Sequence, residues 1–83
     1  MAEMDALPTT LAEIQAAAAR IAPFVRRTPI LPAGAIARDA ARPSLAFKCE
    51  GLQLTGSFKV RGATNAVQRL SAADAMRGVV THS

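Results

Sequence analysis

Apolar positions along the chain change period several times. Leu11, Ile14, Ala18 and Ile21 recur at helical spacing, which predicts an amphipathic helix over about 10–22. Thr10-Leu-Ala-Glu13 opens it as a capping box, the threonine oxygen accepting from the N3 amide while Glu13 reaches back. Pro23 disfavours helix at the residue before it and ends the element near Ala22. Thr28-Pro29-Ile30-Leu31 reads as a short extended segment at a sheet edge, because proline cannot donate to a ladder. Ala33 to Ala41 forms a weak, Ala-rich helical turn that Arg42-Pro43 stops. Ser44 to Glu50 then alternates, with Leu45, Phe47 and Cys49 on one side and Ala46, Lys48 and Glu50 on the other. That is the pattern of a half-buried strand.

Gly51 to Gly56 is turn-like. A second strong helix follows over about 57–70, with Val60, Ala63, Val67 and Leu70 as its core stripe. Ser71-Ala-Ala-Asp74 caps a short helix to Arg77, which Gly78 stops. Gly78 to Ser83 starts a strand. Helices alternating with strands predict an α/β fold with parallel pairing. A parallel sheet must be covered on both faces, and two good helices cannot do so. The pattern therefore predicts the opening segment of a larger domain, incomplete as an independent one.

Composition sharpens this picture. The chain has 83 residues, 51% hydrophobic and 19% charged, which excludes a disordered polyelectrolyte. Much of the apolar content is alanine, and there is no Trp or Tyr, so large core anchors are few. A compact chain this size buries roughly 60–65% of its unfolded surface. No apolar run reaches the roughly 18 residues of a membrane span. The start, Met1-Ala-Glu-Met-Asp5, is acidic where a secretory signal is basic. The single Cys49 cannot form an intrachain disulfide. These features point to a reducing cytoplasm.

The net charge of +4 raises nucleic-acid binding as a reading. The arginines are scattered rather than striped, however, and neither stacking aromatics nor zinc-finger spacing accompanies them, so no nucleic-acid partner is expected. His82 has no second ligand at metal spacing, and no metal site is expected. Cys49 reads as core packing, Arg61 as a structural ion pair, and Arg26-Arg27 as solvated.

The unusual segment is Thr55-Gly-Ser-Phe-Lys-Val-Arg-Gly-Ala63. A glycine-bearing turn delivers Lys59 into the first turn of a helix, where the positive end of the dipole disfavours an ammonium. The neutral amine is the form that attacks a carbonyl to make a Schiff base. Gly62 and Ala66 share the face of Lys59. A glycine there either leaves a clearing beside the amine or eases packing against a neighbour. Phe58 offers a flat apolar surface for a flat carbonyl cofactor.

The run Glu50-Gly-Leu-Gln-Leu-Thr-Gly-Ser-Phe-Lys-Val-Arg-Gly-Ala-Thr-Asn-Ala-Val67 resembles the lysine segment of fold-type II pyridoxal-phosphate enzymes. It is most similar to the threonine/serine dehydratase (threonine ammonia-lyase) and serine racemase branch. Arg20-Ile21, Arg27-Thr-Pro-Ile30, Phe47-Lys-Cys-Glu50 and Val79-Val-Thr-His-Ser83 agree with it in order and spacing. Threonine synthases place an aspartate directly after the lysine, where this chain has Val60. Gly51 and Leu54 depart from the branch pattern in the turn before the motif, where nucleotide regulation of some serine racemases lies nearby.

The resemblance implies the tryptophan synthase β-like fold, with residues 1–77 in the large cofactor-binding domain and 78–83 as the first strand of the small domain, cut short. It implies pyridoxal 5'-phosphate as cofactor, Lys59 as the Schiff-base lysine and later base at Cα, and Phe58 packed against the pyridine ring. Ser83 corresponds to the first residue of the loop that holds the substrate carboxylate. The implied reaction converts threonine or serine to a 2-oxo acid and ammonia, with racemisation as the other fate of the same carbanion. Family members are homo-oligomers. The phosphate cradle lies further along in them, so the 83-residue chain alone is expected to be inactive. A non-enzymatic basic module and a truncated gene product are the competing readings.

Overall fold

In the computed structural model, residues 8–82 are described. Helix α1 spans Leu11–Ile21, strand β1 Ile30–Pro32, helix α2 Ala35–Asp39 and strand β2 Ala46–Lys48. A single 3₁₀ turn at Glu50–Leu52 leads through Gly56 into α3, Lys59–Gln68. Helix α4, Ala72–Arg77, follows.

Local signals set the helices. Thr10 Oγ1 accepts from the Glu13 amide at 3.1 Å, as expected of a cap. The second half of the box differs: the Thr10 hydroxyl donates to Glu13 Oε1 at 3.3 Å instead of Glu13 reaching the Thr10 amide. Ser71 Oγ accepts from the Asp74 amide at 3.1 Å, and Gly78 ends α4 at φ 79°. Helix α2 closes with a Schellman motif. The Arg42 amide reaches the Ala37 carbonyl at 2.8 Å and the Ala41 amide reaches Arg38 at 3.1 Å. Ala41 sits there at φ 52°, the left-handed position that glycine usually takes.

The strands differ from the sequence expectation. β1 and β2 pair antiparallel, with Ile30 opposite Lys48 and Pro32 opposite Ala46, rather than parallel. α2 reverses the chain between them, so the pair closes as a wide hairpin. The seven-residue alternation at 44–50 yields a three-residue strand, flanked in the same register by the Cys49 amide on the Pro29 carbonyl at 3.0 Å and the Ala33 amide on the Leu45 carbonyl at 3.2 Å. Among the described residues, 79–82 form no strand ladder.

Few side chains are buried. Ile21, Ala33 and Ala37 are the buried apolar residues among those described. Leu11, Ile14, Leu45, Phe47 and Val67, all expected to face a core, remain exposed, and Cys49 is half-buried. The accessible surface is 7045 Å², against roughly 4,700 Å² for a compact protein of this mass. The chain thus buries only about 44% of its unfolded surface, below the 60–65% expected of a closed domain. The amphipathic elements are present, but among the described residues α1 and α3 meet chiefly each other and leave most of their apolar stripes exposed.

Candidate functional site

A polar network joins segment 26–28 to the turn before α3 and to the start of that helix. Arg61 grips Glu50 with two parallel donors. Its Nε reaches Oε1 and its Nη2 reaches Oε2 at 2.9 Å. The Thr28 hydroxyl also donates to Glu50 Oε2. Lys48 Nζ donates to the Thr28 carbonyl at 2.6 Å. Beside them Gln53, only 3% exposed, binds the backbone of Arg26 in both directions. Its Oε1 accepts from the Arg26 amide at 2.7 Å and its Nε2 donates to the Arg26 carbonyl at 2.9 Å. Gln53 Oε1 also accepts from the Leu54 amide at 3.1 Å. Arg61 is thus the ion-pair residue the sequence suggested. Arg26 is exposed as expected, but its backbone is held.

The electrostatics follow from these bonds. Hydrogen bonds from Arg61 and then Thr28 hold the Glu50 carboxyl at about 2, well below its ordinary 4.5, because both donors favour the charged form. The bond to Glu50 raises the Arg61 guanidinium in turn.

Lys59 is the first residue of α3 and is exposed, with exposed Phe58 at the preceding N-cap position. Its backbone amide reaches Ser57 Oγ at 3.4 Å. Among the described residues its Nζ has neither a hydrogen-bond nor a salt-bridge partner. Lys48, the other lysine of the chain, is tied to Thr28. Phe58 is 66% exposed. A Cβ added at Gly62 would meet nothing within 4 Å. The glycine therefore leaves a clearing on the Lys59 face, and the packing reading drops out for the described residues. An unpartnered amine, an uncovered aromatic ring and an open face fit a flat carbonyl cofactor. Ser83 lies outside the described residues. Among those described, no group of three or more His, Cys, Asp or Glu is arranged to hold a metal.

Sequence reasoning singled out Lys59 and Phe58 but missed Thr28, Gln53 and the tether on Lys48. A glutamine in a predicted turn reads as solvated. Its burial depends on Arg26, 27 residues away, which no local pattern reports.

Comparison with known proteins gives a consistent result. The family model described as pyridoxal-phosphate dependent enzyme matches residues 21–83. A serine racemase of Arabidopsis thaliana is 53% identical over 64 residues, 77% of this chain and 19% of that protein. A beta-hydroxyaspartate dehydratase of Paracoccus denitrificans is 49% identical over 74 residues, 89% of this chain and 23% of that one. A catabolic L-threonine dehydratase of Staphylococcus aureus is 37% identical over 71 residues, 86% and 20% respectively. The chain spans about a fifth of the length of the curated relatives it matches. No solved structure matches it.

Proposed function

Because the chain belongs to the pyridoxal-phosphate-dependent enzyme family, we propose that it supplies the Schiff-base lysine, Lys59, of an enzyme that dehydrates and deaminates a hydroxyamino acid. The substrate class is threonine or serine, and the products are a 2-oxo acid and ammonia. One observation carries this reading. Of the two lysines, Lys48 is tied to a carbonyl, while the Lys59 amine stands unpartnered among the described residues beside Phe58.

Pyridoxal phosphate, when bound, supplies an aldehyde to which an amine can join and a ring that accepts the electrons left at Cα. Lys59 Nζ provides the amine, and after exchange with the substrate amine it is the base that holds the Cα proton. Phe58 gives the ring an apolar surface to rest on and excludes water from that side. Gly62 keeps the approach open. Ser83 binds the substrate carboxylate. In this reading residues 1–77 belong to the large domain and 78–83 open the small one, within a cytoplasmic homo-oligomer. In this reading the chain alone turns over no substrate, because its matched relatives are about four times as long. Racemisation of serine is the second reading, favoured by the 53% identity to a serine racemase.

The test is a chimera in which this chain replaces the aligned 74 residues of the Paracoccus dehydratase. Hydroxyaspartate, threonine and serine are assayed for 2-oxo acid, and L-serine for its D form. The proposal expects 2-oxo acid release that Lys59→Ala abolishes and Lys48→Ala preserves, with borohydride fixing the cofactor on Lys59. D-serine without 2-oxo acid would select the racemase. Retained turnover in Lys59→Ala, or fixation on Lys48 alone, refutes both.

A further inference from the structure

Helix α3 carries the reactive lysine but lacks the usual means of fixing its own start. Its N-cap, Phe58, makes no side-chain cap, and its first turn holds no acidic residue. Lys59 and Arg61 instead put two cations at the positive end of the dipole. Its apolar stripe is not buried. Two polar anchors hold it. In its middle, Arg20 of α1 donates to Asn65 Oδ1 at 2.6 Å. At its start, Arg61 grips Glu50.

We propose that Glu50 is a positioning residue for Lys59: held by Arg61 and Thr28, it pins the lysine-bearing end of α3 so that the amine faces the open side. At about 100° per residue, Arg61 and Asn65 lie roughly 40° apart on the helix, and both lie about 120–160° from Lys59. The anchored face and the reactive face are therefore nearly opposite. The Glu50 carboxylate also supplies, from outside the helix, the negative charge that the first turn lacks. Through Thr28 the same carboxylate fixes the carbonyl that occupies Lys48, so one group both aims Lys59 and ties up the competing amine. This inference rests on the reading of Lys59 as the Schiff-base lysine.

The test uses the whole 83-residue chain. Amide exchange is followed in α3 and, as internal reference, in α1. Separately, pyridoxal phosphate is added, reduced with borohydride, and the Lys59-to-Lys48 labelling ratio is read by mass spectrometry. Glu50→Gln is expected to speed exchange in α3 about tenfold relative to α1 and to lower the labelling ratio roughly threefold or more. Thr28→Val shifts both in the same direction by less, and Thr28→Ser, which keeps the hydroxyl, restores wild-type values. Arg61→Lys behaves like Glu50→Gln, because an ammonium cannot give two parallel bonds. Equal changes in α1 and α3 for both Glu50→Gln and Thr28→Val, or an unchanged ratio in both, overturn the proposal. Failure of borohydride to fix the cofactor on Lys59 in the dehydratase chimera instead overturns the Schiff-base reading, whatever the exchange rates show.

Discussion

Removing the Gln53 amide is the sharpest perturbation of the frame beneath the lysine. Gln53→Ala deletes three hydrogen bonds at once, to the Arg26 amide, the Arg26 carbonyl and the Leu54 amide. Each neutral bond contributes about 0.5–1.5 kcal/mol net, and a buried group left unmet costs about 1–3 kcal/mol. The full sum does not apply. The Arg26 carbonyl keeps a long bond from Arg61 Nη2 at 3.4 Å, and Arg26 is an exposed residue. A cost of about 2–4 kcal/mol follows. At its lower end this is a roughly thirtyfold rise in local opening.

Amide exchange at Arg26 and Leu54 measures that opening directly. Gln53→Glu is the informative partner. Its carboxylate still accepts from both amides but turns a charge toward the Arg26 carbonyl where the native side chain donates, so the Leu54 amide stays protected while the segment around Arg26 loosens. A change below about threefold at Arg26 in Gln53→Ala would mean that the double backbone contact holds nothing, and that segment 26–28 is positioned by some other means.

Two further outcomes test neighbouring parts of the structure. Ala41→Gly relieves a non-glycine residue at φ 52° and is expected to stabilise the end of α2 by about 0.5–1 kcal/mol, seen as slower exchange of the Arg42 amide; faster exchange would deny the Schellman geometry. Glu50 is depressed to about 2 from 4.5, so its contribution is complete above pH 4.5 and is lost as pH falls toward 2. A carbon-13 titration of the Glu50 carboxyl with its midpoint near 4.5 would contradict the Arg61 and Thr28 bonds.

The legible parts of the sequence were those fixed by neighbours in the chain. Thr10, Pro23, Ser71 and Gly78 bound α1 and α4 within a residue or two, because capping and helix breaking act over three or four positions. The lysine turn was legible for the same reason. Strand pairing was not. Alternation over 44–50 states which side chains share a face, but strand length and direction depend on what lies alongside, and β1 lies alongside through a reversal that α2 creates. The exposed apolar stripes show the same limit: periodicity predicted which residues seek a core, and the described residues provide too little partner surface to bury them. Thr28 and Gln53 were invisible because their burial is created by contacts 22 and 27 residues distant.

This division explains how a lysine site can be ordered within so open a chain. Hydrophobic burial needs many residues from several layers at once, whereas a bidentate ion pair and a two-way amide contact need only two or three groups each. Glu50, Arg61, Thr28 and Gln53, with the Arg26 backbone, lie between residues 26 and 61, so the clasp at the start of α3 is assembled from the stretch of chain that carries Lys59. Packing against further surface would strengthen that frame by lowering the local dielectric around Glu50 and Arg61, but would not be needed to choose its geometry.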